Sequence, residues 1–256
     1  MPYVVIRLIS LSKKAGKTSL GMQLVSELLK RNVKVAVIKH CHREIDLANK
    51  DTYRYQNAGA LEIIAIDDKR IVKIIPKTFS LTQLLQYIDP HIPLVIVEGF
   101  RRENVGIAIG IVNSKVELRE IISKTSNLKC IVAPKNLCRD LNTFNIKCFD
   151  RNDVNSLVNF IISYAKETLL NLVPRLNCRM CGLESCNEFI DSVLKGSKLL
   201  INCPHLSKVR LRVNGKFIYI NPFVRAIIQN VILGIVNTLK DIPREYKRIE
   251  LELEID

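Results

Sequence analysis

The chain has 256 residues, of which 48% are hydrophobic and 25% are charged, and its formal net charge is +14. This composition is typical of a globular protein and excludes an intrinsically disordered one. No stretch approaches the roughly 18 apolar residues that a membrane-spanning helix needs, and the N-terminal apolar run leads into a turn and a helix instead of a cleavage site, so we expect a cytoplasmic protein.

The net positive charge is compatible with an anionic binding partner and also with no specific partner. Nucleic acid, a polyanionic small molecule, an acidic protein partner and an ordinary basic surface all fit the charge alone. Aromatic residues make up 6% of the chain and tryptophan is absent, so platforms for base stacking are scarce. No helix-turn-helix pattern or dense basic tract accompanies the charge, and nucleic acid is therefore the partner that we expect least.

The first 170 residues alternate short apolar runs with helical patterns, which predicts an α/β domain with a mostly parallel sheet flanked by helices. The predicted strands cover residues 4–9, 33–38, 62–66, 70–75, 94–97, 106–112, 130–132 and 146–149. The predicted helices cover residues 17–31, 50–58, 81–88, 116–123 and 154–169. We assign this first domain to residues 1–172 and a second domain to residues 173–256.

The segment Leu11-Ser-Lys-Lys-Ala-Gly-Lys-Thr18 lies between the first predicted strand and an uninterrupted helix. Backbone N–H groups and a helix N-terminus that converge in this way bind phosphate, which predicts a P-loop and an NTPase-like fold. Gly16 lets the backbone approach the ligand, Lys17 reaches the β- and γ-phosphates, and Thr18 offers its hydroxyl to Mg²⁺. Leu11 stands where the pattern has its first glycine. The predicted nucleotide-binding residues are Ser12, Lys13, Lys14, Ala15, Gly16, Lys17, Thr18 and Ser19.

A partner acid for the metal is expected at the end of a neighbouring strand. Glu98 directly follows the apolar run 94–97, so with Thr18 it is the predicted magnesium residue, acting through water. A carboxylate at a strand end can also be a simple loop cap. We name no firm catalytic residue, and Glu98 is the candidate.

Charged residues also follow the second predicted strand. Ligands of open α/β sheets bind at the carboxyl ends of strands, so we expect these residues on the functional edge. Two histidines in an i, i+2 pair are, taken alone, more often a surface feature than a metal site. The edge residues are His40, His42, Asp46, Lys50, Asp51 and Arg54.

These landmarks form an ordered set over residues 4–102: the P-loop, Lys39-His-Cys-His42, Asp46, Lys50-Asp-Thr-Tyr-Arg54, Ala58-Gly-Ala60 and Val97-Glu98-Gly99-Phe100. The set resembles the molybdopterin-guanine dinucleotide biosynthesis protein B family (MobB). The resemblance implies binding of GTP and Mg²⁺, slow GTP hydrolysis at most, and help in attaching GMP to molybdopterin or in delivering the finished cofactor. Its implied partners are molybdopterin and a cofactor-synthesis enzyme or client molybdenum or tungsten enzyme, and we allow for a homodimer.

Guanine preference comes from this resemblance and not from a base-reading motif. The segment Ala133-Pro-Lys-Asn136 occupies a suitable position without matching Asn-Lys-x-Asp.

Four cysteines of the second domain fall in one window, as Cys178-x₂-Cys181-x₄-Cys186 and then Cys203-Pro. Three clustered thiolates and a distant fourth before proline are typical of [4Fe–4S] ligation, whereas zinc ribbons pair two Cys-x₂-Cys knuckles. Zinc and no metal remain alternatives. Residues 176–206 are similar to the small iron–sulfur domain of electron-transport complex B subunits and corrinoid iron–sulfur proteins. A cluster here could carry electrons, sense redox state or hold the domain together.

The other cysteines are scattered, at positions 41, 130, 138 and 148. Because the cytoplasm keeps thiols reduced, we expect these four to be ordinary buried or surface thiols.

The chain after the cysteine window predicts a small α+β unit. Asn214-Gly215 between two apolar runs indicates a type I′ hairpin over residues 209–220, followed by a helix over 222–239. Residues 248–255 alternate strictly, which predicts a further strand. In that strand Ile249, Leu251, Leu253 and Ile255 would face a core, and Glu250, Glu252 and Glu254 would lie opposite Arg210 and Arg212.

Two functions of other classes fit parts of the sequence. An ATP-driven iron–sulfur electron donor or maturation factor for a metalloenzyme would prefer ATP and would couple nucleotide turnover to the cluster. A nucleic-acid-binding protein would show tight and steeply salt-dependent binding.

Overall fold

The structure is a computed structural model that describes residues 3–12, 15–41, 50–139, 146–203, 205–206, 209, 211–218, 220, 222–240, 242–243, 246 and 248–253. Among these residues, no helix is both long and apolar enough to cross a bilayer.

The elements of the first domain match most of the predicted ones, within a few residues. In chain order they are β1 (Val4–Ile9), α1 (Lys17–Lys30), β2 (Val35–Lys39), α2 (Lys50–Asn57), β3 (Ile63–Ile66), β4 (Ile71–Ile74), α3 (Leu81–Leu84), β5 (Leu94–Glu98), β6 (Ile107–Ile111), α4 (Lys115–Lys124), β7 (Leu128–Ala133), α5 (Lys135–Arg139), β8 (Lys147–Asp150) and α6 (Val154–Leu170). The predicted helix 81–88 starts with a capping box between Ser80 and Gln83 and ends as the 3-10 turn Leu85–Tyr87. Helix α5 was not predicted, because five residues are too few to show a helical period.

The main sheet is fully parallel, with the strand order β2-β5-β1-β6-β7-β8. The predicted α/β class is therefore confirmed. Strands β3 and β4 instead form a separate antiparallel hairpin. Their four-residue connection explains this, because a parallel pair needs a crossover of a dozen or more residues.

Helices cover both faces of the sheet. On one face, α1 and α6 pack through Leu24, Leu28 and Ile161 against Ile6 and other residues of β1. On the other face, α4 packs on β6 and β7. Burial on both faces is the reason that the central strands are continuous apolar runs.

One connection of the sheet carries no helix. We call residues 99–106 the crossover strap: they join β5 to β6 and pass over β1, which lies between these strands. The strap lies directly on β1, because a Cβ on Gly106, whose φ is +68°, would be 2.2 Å from the Val5 carbonyl oxygen. Arg7, on the same face of β1 as Val5, is completely buried.

The chain after α6 contains α7 (Cys186–Leu194), β9 (Leu211–Val213), β10 (Lys216–Ile218) and α8 (Pro222–Thr238). Helix α7 packs onto the first domain, since Phe189 and Val193 belong to the same buried cluster as α1 and α6. The Leu194 carbonyl accepts from Lys34 N–H at 2.9 Å. The cysteine window is thus attached to the parallel-sheet part of the chain through a shared core.

The predicted hairpin is confirmed, with positive φ at Asn214 and Gly215. The predicted final strand is wrong for the described residues 248–253, which form no strand. Ile249, Leu251 and Leu253 are 38%, 62% and 75% exposed. Strand β9 has only three residues and already pairs with β10, so it offers a short edge to a further strand. Arg210, Glu254 and Ile255 lie outside the described residues.

Two of the scattered cysteines form a disulfide, Cys138–Cys148, with a Cα–Cα distance of 5.5 Å. The prediction of free thiols is wrong for this pair. The parallel pairing of β7 with β8 brings α5 beside β8, and the two cysteines are ten positions apart in the sequence. Cys41 and Cys130 are free, the first exposed and the second buried.

Candidate functional site

The P-loop lies at the carboxyl edge of the sheet, between β1 and α1. Gly16 has φ +88° and caps α1, a left-handed conformation that favours glycine. Ala15 is completely buried, which seats the loop on the domain core. The first-turn N–H groups of α1 have no carbonyl partner within the helix and are available to an anion. Lys13 and Lys14 lie outside the described residues.

Lys17 folds back over this loop. Its Nζ donates to Ser10 Oγ and to the Ser12 carbonyl oxygen, the latter at 3.1 Å. Ser10 Oγ in turn donates to the same carbonyl at 2.7 Å. Burial lowers the pKa of Lys17, and the nearby Glu98 carboxylate acts in the opposite direction. The structure therefore holds a partly desolvated cation at the position where the P-loop pattern predicts phosphates.

Glu98 meets Thr18 at the same edge. Parallel pairing of β5 with β1 places Glu98 beside Leu8, just before the loop. Thr18 Oγ1 donates to Glu98 Oε1 at 2.7 Å, and Lys39 Nζ lies 3.7 Å from Glu98 Oε2. The two residues predicted as the magnesium pair are thus in contact, although they are 80 positions apart in the chain.

His40 continues this edge at the end of β2. Its backbone N–H donates to the Glu98 carbonyl at 2.9 Å, and its ring centroid lies 5.0 Å from that of Phe100. Gly99 makes the approach possible, because its φ is +103° and a Cβ there would be 2.7 Å from His40 Cβ.

The other predicted edge residues are only partly described. His42 and Asp46 lie outside the described residues. Lys50 and Asp51 begin α2, and only their backbone is described. Arg54 is exposed on the same helix.

The four window cysteines, Cys178, Cys181, Cys186 and Cys203, line one pocket. Cys178 is exposed and Cys203 is buried. Cys186 begins α7, and its N–H donates to Asn177 Oδ1 at 2.8 Å. Burial raises the pKa of the Cys203 thiol, and the nearby Cys178, Cys181 and Cys186 also raise it, so each of the three lies within electrostatic reach of Cys203. In the described part of the chain, no three histidine, cysteine or acidic side chains are grouped as a single-ion site.

His205 also lines this pocket, although the sequence did not single it out. His205 Nε2 lies 3.2 Å from Cys178 Sγ. Its position two residues after Cys203 was the only signal in the sequence, and a lone histidine there is not specific.

The P-loop and the cysteine pocket lie far apart. Helix α6 has 17 residues and starts after β8, at the same edge as the P-loop. At 1.5 Å per residue it spans about 25 Å to the opposite edge. At that end of α6, Arg175 Nε donates to the Leu170 carbonyl. Arg175 is three residues before Cys178, so the cysteine window begins near the end of α6. A ligand in one site cannot touch a ligand in the other.

Arg151 is a second residue that the sequence did not single out. It follows β8, and its Nη2 donates to Asn113 Oδ1 at 2.9 Å and to the Val112 carbonyl at 3.4 Å. A Cβ on Gly16 would be 3.9 Å from Arg151 Nη1, so the guanidinium lies beside the P-loop.

Comparison with known proteins assigns the arrangement to a family. The model described as "Molybdopterin guanine dinucleotide synthesis protein B" (MobB) matches residues 5–134. The chain belongs to the MobB family. A second model, described as "Putative Fe-S cluster", matches residues 173–205 and includes all four window cysteines. The predicted combination of a MobB domain with an iron–sulfur region is therefore confirmed at the level of families.

Relatives carry the same description. A Methanocaldococcus jannaschii protein named "Putative molybdopterin-guanine dinucleotide biosynthesis adapter protein" is 29% identical over 95% of this chain and 94% of its own. The Haemophilus influenzae molybdopterin-guanine dinucleotide biosynthesis adapter protein is 40% identical over 36% of this chain and 54% of its own. The structure of Bacillus subtilis MobB aligns with a TM-score of 0.53 at 19% identity, over 63% of this chain and 97% of that one, which supports the fold.

Proposed function

We propose that this MobB-family protein is a GTP-binding adapter in the biosynthesis or delivery of the molybdenum or tungsten form of molybdopterin guanine dinucleotide. One observation carries the proposal: Lys17, Thr18 and Glu98 converge at the helix N-terminus that follows β1. The names of the relatives support the pathway, and the P-loop supports the nucleotide.

The chemistry of the site follows from these residues. Lys17 would exchange its bonds to Ser10 and Ser12 for the β- and γ-phosphates, because charge-assisted bonds to phosphate are stronger than bonds to a hydroxyl and a carbonyl. Thr18 and Glu98 would hold Mg²⁺, Thr18 through its hydroxyl and Glu98 through water. We propose at most slow hydrolysis, as the MobB resemblance implies, with Glu98 as the candidate catalytic group among the described residues.

We propose further that Cys178, Cys181, Cys186 and Cys203 hold a [4Fe–4S] cluster. The proposal is supported by their position around one pocket, by their spacing and by the matched family model. A bound cluster would supply one-electron transfer or structural support. We propose two domains: a GTP-binding domain over residues 1–172, and an iron–sulfur and α+β domain over residues 173–256.

The distance between the sites bears on the ATP-driven alternative. With about 25 Å along α6 between them, nucleotide turnover could reach the cluster only through movement of α6 and α7. The adapter needs no such coupling, and we favour it for that reason.

Partners follow from charge and exposed surface. Molybdopterin is anionic and suits an edge that carries Lys39, His40 and the exposed Arg54, while an acidic client enzyme suits the net charge of +14. Hairpin β3–β4 exposes Ile64, Ile66 and Ile71. This apolar surface outside the main sheet favours the homodimer. A cytoplasmic location remains our expectation.

The test of the nucleotide is an anaerobic titration with GTP and with ATP in Mg²⁺, on the wild type and on Lys17→Ala. Lys30→Ala is the matched control, because Lys30 lies on the same helix but is exposed and paired with Glu27. We expect GTP binding that Lys17→Ala abolishes and Lys30→Ala preserves. A preference for ATP would favour the electron donor, and binding of neither nucleotide would refute the proposal.

The test of the metal residue is Glu98→Gln against Glu120→Gln, which changes a half-buried acid of α4 that pairs with Lys124. Loss of the carboxylate charge that would hold the metal-bound water should weaken GTP binding in Mg²⁺ about 10- to 100-fold and leave binding in EDTA unchanged, in line with about 1.5–3 kcal/mol for a charged hydrogen bond. An equal loss in both buffers would show that Glu98 is a loop cap.

The test of the cluster is metal analysis of anaerobically purified protein. The ligation predicts about four irons per chain, lost in Cys181→Ser and kept in Cys41→Ser. Stoichiometric zinc without iron would overturn the assignment.

A further inference from the structure

The polarity of a bound nucleotide follows from the strand order, given the proposed function. Mg²⁺ bridges the β- and γ-phosphates in P-loop proteins. The predicted metal residues Thr18 and Glu98 place that end of the nucleotide on the β5 side of β1. Strands β6, β7 and β8 lie on the other side of β1. The α-phosphate and the nucleoside therefore extend toward the loops that follow these three strands.

Arg151 occupies that region. Its backbone N–H donates to the Ala133 carbonyl at 2.9 Å, which ties the loop after β8 to the end of β7. Its Nη2 is held by Asn113 and Val112, after β6. Through its backbone and its side chain together, Arg151 thus connects all three loops. The side chain is half-buried and presents Nη1 toward Gly16 of the P-loop.

We propose that Arg151 is a nucleotide-binding residue that donates to the α-phosphate. Guanidinium groups bind phosphate through several fixed donors, and anchoring of Nη2 leaves Nη1 and Nε for the ligand in a preorganised position. Lys17 and the helix N-terminus serve the β- and γ-phosphates, so the α-phosphate is the anionic group on the β6–β8 side. A purely structural role would instead use the guanidinium only to join the loops.

The experiment compares Arg151→Gln and Arg151→Lys with the wild type in the full-length protein. Arg119→Gln is the matched control, since Arg119 is an exposed arginine of α4. GTP, GDP and guanosine are titrated as competitors of a fluorescent GDP analogue, and thermal unfolding checks that each variant is folded. We expect Arg151→Gln to weaken GTP and GDP by the same factor, about 10- to 100-fold for one charge-assisted contact. Arg151→Lys should recover part of the loss, because lysine keeps the charge but not the fork.

Each other outcome overturns the inference in its own way. Unchanged affinity excludes contact, loss for GTP alone moves the contact to the γ-phosphate, and an equal loss for guanosine shows that the residue only shapes the loops. Absence of nucleotide binding by the wild type would refute the proposed function itself, which the wild-type titration separates from a failure of Arg151.

Discussion

We expect Arg7 to make the folded state less stable than an apolar side chain of similar length would. It is 0% exposed in the middle of β1, beneath the crossover strap. Its Nη2 donates to the Ser126 carbonyl at 3.2 Å, while Nε and Nη1 are buried without a partner in the described structure. Burial lowers its pKa, and the acidic Glu103 of the strap acts in the opposite direction. We predict that Arg7→Met raises the free energy of unfolding.

The magnitude follows from the donors. Each unsatisfied buried donor costs about 1–3 kcal/mol, and the single bond to a carbonyl by a charged group contributes about 1.5–3 kcal/mol. Arg7→Met removes two unsatisfied donors, which destabilise the fold, and one hydrogen bond, which stabilises it. The net effect is a stabilisation of about 1–3 kcal/mol, in the range seen when buried ions are replaced by well-packed apolar residues.

The assay is anaerobic urea unfolding of the wild type, Arg7→Met, Arg7→Ala and Arg119→Met. Arg7→Ala leaves a cavity and should be less stable than Arg7→Met, whereas Arg119→Met changes an exposed residue and should lie within about 0.5 kcal/mol of the wild type. A loss of 1 kcal/mol or more in Arg7→Met would refute the reasoning. It would mean that Arg7 has a strong partner in solution, with Glu103 the first candidate.

Three further predictions concern the fold. Gly106→Ala should lower the free energy of unfolding by about 2–5 kcal/mol, because alanine is strained at a positive φ and its Cβ would clash with β1. Gly59 has φ +95° and nothing within 4 Å of a Cβ, so Gly59→Ala should cost only the backbone strain, about 1–2 kcal/mol. Equal losses in urea unfolding would contradict the contact. Burial raises the pKa of Cys130 to about 12, so the folded protein keeps a proton that the unfolded chain releases above about pH 8.5. The stability of the wild type relative to Cys130→Ala should therefore fall between pH 8 and 10, and a constant difference would refute this. The double variant Cys138→Ser/Cys148→Ser should lose about 2–3 kcal/mol, as expected for a short closed loop, and thiol titration of the unreduced denatured protein should find these two cysteines protected.

Most of the local structure could be predicted from the sequence. Apolar runs of β-branched residues predict strands buried on both faces, and the apolar strand before Gly16-Lys17-Thr18 indicates the P-loop. Asn214-Gly215 predicts the second hairpin in the same way, because its backbone conformation depends on those two residues alone. The cysteine window is also a local pattern, since its spacing alone points to a cluster ligand set.

Other features depend on which strands become neighbours. The contact of Thr18 with Glu98 exists because β5 pairs with β1, and the position of Arg151 beside Gly16 requires the loops after β6 and β8 to meet. The disulfide depends likewise on the pairing of β7 with β8. In the final alternating segment the sequence predicted a strand that the described residues 248–253 do not form. A strand pattern is only a preference of the chain, and it needs an available sheet edge to become a strand.

The sequence by itself determined the periodicity, the turns and the binding loop, since these depend on interactions between residues close in the chain. Only the tertiary structure decided the opposite positions of the P-loop and the cysteine pocket, and the charged residues around each. Crossover connections and packing of α6 and α7 set these distances, and no pattern within a short window of residues encodes them.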